Sequence, residues 1–245
     1  MRRSHRGAAL LALLALLILA GTGWWLVAPA GQQVGAAAHD AAVLAQAKAA
    51  LLAWSALHCP AAATAGEALR VRSGELPVPD RDAPGDDGFG TQDATSPSLG
   101  RLPWKTLGLP PLRDASGEYL WYALADRYRD SGTGALPPVC DESLPLADPH
   151  GRPIAPSPGD CIVAVVMAPG APLPTQLRND TQSAAQYLER DTVDGIVFDN
   201  TRRGGPFLQG PRWRGGQPVL NDRIAWISWH EIRRSAAALP CRAGH

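Results

Sequence analysis

The first hydrophobic feature of the chain is an unbroken run, Ala8 to Val27, built mainly from Leu, Ala and Ile, with Trp24 and Trp25 near its far end. No Asp, Glu, Lys or Arg occurs between Arg6 and Asp40, and Arg2, Arg3 and Arg6 stand in front of the run. A helix of about twenty residues rises about 30 Å, the thickness of a bilayer's hydrocarbon core. Leading arginines hold the amino end in the cytoplasm, and tryptophans suit the opposite interface. The pattern predicts a basic leader over 1–7 and a transmembrane helix over 8–28. It implies a single-pass inner-membrane protein with a cytoplasmic N-terminus and a periplasmic C-terminal domain. A cleaved signal peptide competes, because Ala28-Pro29-Ala30 resembles a small-residue cleavage site. The run exceeds the roughly 7–15 apolar residues usual in such a peptide, which favours an uncleaved anchor.

Beyond the anchor the period changes. Gln32 to Leu57 is Ala-rich, and helical spacing nominates Val34, Ala41, Leu44, Leu51, Leu52 and Leu57 as core contacts. Cys59-Pro60 ends that helix, since proline cannot continue the hydrogen-bond ladder. Residues 29–58 therefore form the periplasmic half of an N-terminal helix, and 59–245 a loop-rich domain. Within it Trp104, Leu107 and Leu109 read as a one-turn wedge, and Tyr119 to Leu124 as a strand entering a short helical stretch. Cys161 to Met167 is a β-branched strand between Pro158-Gly159 and Pro169-Gly170. Thr181 to Arg190 predicts a helix with Ala185, Tyr187 and Leu188 inside. Gly195 to Phe198 is a short strand, Arg202 to Gln217 a Gly/Arg loop, Arg223 to Trp229 an alternating strand, and Glu231 to Leu239 a closing helix.

Composition narrows the function classes. Lys+Arg and Asp+Glu both total 23, so no basic footprint points to nucleic acid. With 25 Gly and 23 Pro, the domain is rich in loops and turns. The four cysteines have neither CxxC nor zinc spacing, and beyond an anchor they face an oxidising compartment. Three connectivities are open. The favoured one joins Cys140 to Cys161 across a Pro-rich loop and leaves Cys59 for Cys241.

Candidate chemistry is sparse. Asp80, Asp82, Asp86, Asp87 and Asp93 line a Gly-rich loop whose hard oxygens suit Ca²⁺, without the spacing of an EF-hand. A solvated surface loop is the plainer reading of the same acids. His230, between Trp229 and Glu231, has neither a strained Gly-x-Ser-x-Gly turn nor His-Glu-x-x-His beside it. The expectation is a protein that is not an enzyme and has no evident small-molecule substrate. Arg212, Trp213 and Arg214 carry the residue types that anchor interfaces.

Two stretches carry a resemblance. Arg6-Gly7-Ala8-Ala9-Leu10-Leu11 resembles the start of type IV pilin-like proteins, which implies leader cleavage between Gly7 and Ala8. Fifth after that cut stands Ala12 where most of the family has Glu. Minor pseudopilins at filament tips share that departure, so the resemblance implies a tip or accessory role, or an unprocessed anchor. Leu76-Pro-Val-Pro-Asp80, the block Gly100 to Leu109 containing Pro-Trp-Lys-Thr-Leu-Gly-Leu, Asp114 to Tyr122 and Asn221-Asp222-Arg223 resemble a bacterial pilin-like group. Val78 replaces that group's usual cysteine, which implies one disulfide fewer here. The resemblance implies an α+β, pilin-like fold, with one long N-terminal helix on a small, mostly antiparallel sheet. It also implies a pseudopilin-type accessory subunit that meets the membrane and other pilin-like subunits. Pseudopilins with a calcium loop extend this to Asp80, Asp82, Asp86 and Asp87. An anchored or secreted periplasmic enzyme or binding protein is the alternative.

Overall fold

The computed structural model describes residues 34–57, 74–95, 97–130 and 139–238. The run 8–27, the Gly7–Ala8 junction, Cys59 and Cys241 lie outside them. The chain forms two compact units, Met1–His39 and Asp40–His245. Of the first, only the helical residues 34–39 are described. Among the described residues no helix is long and apolar enough to cross a membrane.

The architecture is α+β with a small antiparallel sheet. In chain order, helix α1 covers 34–57, followed by β1 (Leu99–Arg101), β2 (Trp121–Leu124), β3 (Leu146–Ala147) and β4 (Ile162–Ala168). Then come β5 (Arg190–Val193), β6 (Ile196–Asp199), β7 (Phe207–Leu208), β8 (Arg212–Arg214), β9 (Gln217–Leu220), β10 (Arg223–Ser228) and α2 (Trp229–Ala238). The main sheet has the order β1-β2-β4-β10, with every pair antiparallel. All seven residues of β4, Ile-Val-Ala-Val-Val-Met-Ala, are buried. Branched side chains favour the extended backbone, and cover on both faces explains why this strand reads as a continuous apolar run.

Helix α1 sinks Asp40, Leu44, Ala47, Leu51 and Ser55 into the domain at steps of three and four. Val34, Ala41 and Leu57, expected in the core, are exposed. Leu57 stands two residues past Ser55, about 200° round the helix. The polar Asp40 belongs to the buried stripe because it has partners there. One carboxylate oxygen accepts the Ala115 N–H at 2.7 Å, and the other lies 3.3 Å from Arg223 Nε. Farther along, Lys48 pairs with Glu231 at 2.7 Å and sits over the Trp226 ring. The closing helix begins with a capping box. Ser228 N–H donates to Glu231 Oε2, and Glu231 N–H donates to Ser228 Oγ. The expected disulfide is present, joining Cys140 to Cys161 directly before β4.

The segment from β5 to β9 differs from the sequence reading. Residues 181–190 are no α-helix: one 3-10 turn, Ala184–Gln186, precedes β5, and Ala185 is exposed while Tyr187 and Leu188 are buried. The turn wins because Gln186 Oε1 accepts the N–H groups of Asn179 and Asp180, closing the chain on itself. The expected loop 202–217 instead contributes β7, which pairs in parallel with β3, and β8, which forms a hairpin with β9. Asp194-Gly195 and Gly215-Gly216, all with positive φ, supply the two-residue turns of the β5–β6 and β8–β9 hairpins. Only Ala147, Val193, Phe198, Leu208 and Leu220 form an apolar cluster here.

A buried polar network supplies the rest. Asp222 accepts the Glu189 N–H at 3.0 Å and Asn200 Nδ2–H at 2.8 Å. Glu189 accepts the amides of Asn221 and Asp222 and the Gln176 side chain. The Asn200 side chain also donates to the Leu208 carbonyl and accepts the Leu208 N–H. Complete burial, and then the neighbouring Glu189 charge, push the Asp222 carboxyl well above the ordinary range. Burial raises Glu189 as well. The two acids share one buried site, and each holds its proton more tightly there than an ordinary carboxyl does.

Candidate functional site

The motif Leu76-Pro-Val-Pro-Asp80 is tied at its two ends, Leu76 bridging to Arg129 and Asp80 to Arg101 at the end of β1. Asp80 N–H donates to the Arg101 carbonyl at 2.9 Å, and Arg101 N–H returns a bond to the Asp80 carbonyl at 2.6 Å. Gly100 permits this approach, since a Cβ there would lie 2.3 Å from the Asp80 carbonyl oxygen. The Asp80 side chain is fully buried. Its two oxygens accept the N–H groups of Asp82 (2.8 Å) and Gly90 (2.6 Å), which ties the acidic loop back on its stem. Burial pushes this carboxyl up to about 6, against the lowering effect of both amides.

On β1 the Arg101 side chain turns inward and is only 3% exposed. Its guanidinium carbon lies 4.4 Å from the Trp121 ring centre and 4.5 Å from that of Tyr187. Cation–π attraction and two carbonyls hold it: Nη2–H donates to Thr181 at 2.8 Å and Nη1–H to Tyr119 at 3.4 Å. Burial lowers its pKa. Two N–H groups are left over, Arg101 Nε and Trp121 Nε1, each buried without a hydrogen-bond partner. Such a group costs about 1–3 kcal/mol when nothing satisfies it. Arg101 and Trp121 border a cavity of ≈ 550 Å³, together with Asp80, Asp82, Asp93, Ser98 and Thr181 among others. Arg203 stands at the same cavity and pairs with Asp126, which also binds Ser98 and Arg129.

The other expected site residues are distributed over the surface. Asp86 Oδ2 accepts the Ala83 N–H, and Asp93 Oδ1 accepts from the Thr95 amide and hydroxyl. Asp87 is exposed. Among the described residues no group of three or more His, Cys, Asp or Glu is gathered to hold a metal. On β8, Arg212 Nε and Arg214 Nη2 both reach the buried Asp191, at 2.8 and 2.6 Å, while Trp213 between them is 58% exposed. His230 donates its N–H to Asp160 Oδ1 at 2.9 Å and sets Nδ1 3.3 Å from Oδ2. Its outer side faces a shallow hollow shared with Ser157, Arg233 and Arg234.

Sequence reasoning missed Arg101, Trp121, Thr181 and Tyr187 as one cluster. The available signal was a single arginine inside the apolar stretch Leu99-Gly-Arg-Leu102, where a buried charge needs a reason. The partner Asp160 of His230 carried no signal, because the two are 70 residues apart.

No family model matches the chain, and neither a curated protein nor a solved structure does.

Proposed function

We propose that the chain is a membrane-anchored, pilin-like accessory subunit of the minor pilin or pseudopilin type. It acts through protein–protein contacts in a secretion or pilus assembly on the periplasmic side of the inner membrane. The observation that carries this reading is α1. A charge-free stretch of sequence leads into a helix whose inner stripe, Asp40, Leu44, Ala47 and Leu51, enters the core of a domain built on an antiparallel sheet. The Cys140–Cys161 disulfide adds support, since such bonds persist in oxidising compartments. In this reading the N-terminal helix bundles with partner helices in the membrane, and the domain meets neighbouring subunits.

Intact-mass measurement on the membrane-extracted protein tests it. Loss of residues 1–7 is the expected result. Loss of 1–30 makes the protein secreted, and the full-length mass makes it a plain anchored domain; either result overturns the pilin reading. A second reading, an anchored periplasmic binding protein, draws support from the cavity at Arg101.

A further inference from the structure

Helix α2 carries His230, Arg233, Arg234 and Ala237 at positions i, i+3, i+4 and i+7, which sets them on one side of the helix. All four border one hollow of ≈ 470 Å³, together with Ser157 and Asp160 from the turn before β4. That turn is closed by the Asp160 N–H, which donates to the Ser157 carbonyl at 2.9 Å. Arg233 and Arg234 are exposed, and so is 43% of the His230 side chain, so a ligand in the hollow has these groups within reach.

The charge at this hollow is unbalanced. Arg233 stacks with its guanidinium carbon 4.7 Å from the Trp229 ring centre, and among the described residues neither it nor Arg234 is paired with a carboxylate. Asp160 is already engaged. Its Oδ1 accepts the amides of Cys161 and His230, each at 2.9 Å, and its Oδ2 lies 3.3 Å from His230 Nδ1. Glu231, the only acid of α2, turns instead to Lys48 and the Ser228 N–H. Burial raises the Asp160 carboxyl, but the His230 amide, the Ser228 side chain and the Cys161 amide outweigh it and hold the group below the ordinary range. An ionised Asp160 keeps a proton on Nδ1 and leaves Nε2, on the far side of the ring, to meet a ligand.

Two guanidinium forks and an imidazole offer more donors than a carboxylate has oxygens, and they match an anion with three or four. A phosphate also has a second pKa of about 6, so near neutral pH it brings a proton that Nε2 can share. We propose that this hollow binds a dianionic phosphate group, as inorganic phosphate or a small phosphate monoester. Arg233 and Arg234 receive its charged oxygens, and His230 Nε2 meets the oxygen that takes up the proton. The assignment is independent of whether the chain joins a pilin-like assembly.

The test is titration of the detergent-solubilised full chain with inorganic phosphate and methyl phosphate, read by calorimetry and phosphorus NMR. Acetate serves as the two-oxygen control, and dimethyl phosphate presents the singly charged diester found in lipid headgroups. At least one of the two dianions binds, and both controls bind about tenfold more weakly or worse, the factor expected when one charged hydrogen bond is lost. Binding of inorganic phosphate alone assigns the site to the free anion, and binding of both extends it to monoesters. Arg233→Gln and Arg234→Gln each weaken binding about tenfold, whereas Arg202→Gln, at an exposed arginine outside the hollow, leaves it unchanged. Circular dichroism establishes that all three variants are folded. The proposal is overturned if neither dianion binds at about 10 mM. Acetate or dimethyl phosphate binding as tightly as methyl phosphate, or both folded α2 variants binding like the parent chain, also overturns it.

Discussion

Strand β4 buries seven consecutive side chains without a polar atom among them, whereas the β5–β6 hairpin buries Asp191 and Asp199 beside Val193 and Phe198. The main sheet is held by dry contact: β4 is flanked by β2 and β10, and α1 adds Leu44, Ala47 and Leu51 to the same core. The hairpin region has five apolar residues in its cluster and relies on Glu189, Asp191, Asn200 and Asp222 bonding to backbone and arginines. The first kind of cohesion is non-directional and grows with buried area. The second depends on partners, because a buried polar group stabilises only while its bonds are made. One polypeptide thus contains a region whose cohesion depends on filled volume, and a region whose cohesion depends on paired charge and hydrogen bonds.

Perturbing each region with its own kind of change sharpens this contrast. The largest effect is expected in the sheet. Ile227→Ala, at a fully buried position of β10, should lower the urea-unfolding free energy by about 2–5 kcal/mol. A loss under about 1 kcal/mol would mean that the sheet does not dominate stability. Next is Asp222→Ala, which strands the Glu189 amide and one of the two Asn200 Nδ2 hydrogens and should cost about 1–3 kcal/mol. The pH response separates this network from the sheet. Asp222 and Glu189 hold protons in the folded chain above the pH at which the unfolded chain releases them. Their contribution is full below the ordinary carboxylate range and is lost as pH climbs through the raised values. Asp222→Asn, whose amide can donate to Glu189 at any pH, should flatten the fall of the unfolding midpoint from mildly acidic to mildly alkaline pH, while Ile227→Ala should leave the slope unchanged. Arg214→Ala should have the smallest effect. Its side chain is 63% exposed, and the less exposed Arg212 still holds Asp191, so a change below about 1 kcal/mol is expected.

What the sequence revealed follows the same division. Strands β4 and β10 announce themselves through an apolar run and alternation, since those elements bury side chains close together in the chain. The 181–190 segment misled because Tyr187 and Leu188 are buried as a helix would bury them, yet Gln186 spends its amide on the backbone of 179 and 180. Strands β7 and β8 were hidden because they contribute two and three residues, too few for a period to show. At the candidate site, the acidic loop was visible as a composition, but the use of Asp80 was not. That side chain closes its own loop, and its backbone reaches a strand twenty-one positions later. Arg101 and Thr181 meet across 80 residues, a separation that no local pattern encodes.

The bridge between Asp80 and Arg101 has a consequence for how the sheet meets other chains. Strand β1 is the outermost of its sheet, and the backbone groups of Arg101 that point away from β2 are already taken by Asp80. An incoming extended segment finds no vacant main-chain donors and acceptors at that position, so lateral growth of the sheet stops there. Recognition on this flank falls to side chains and hollows, and any neighbour that docks here must be read by shape and charge rather than by backbone zippering.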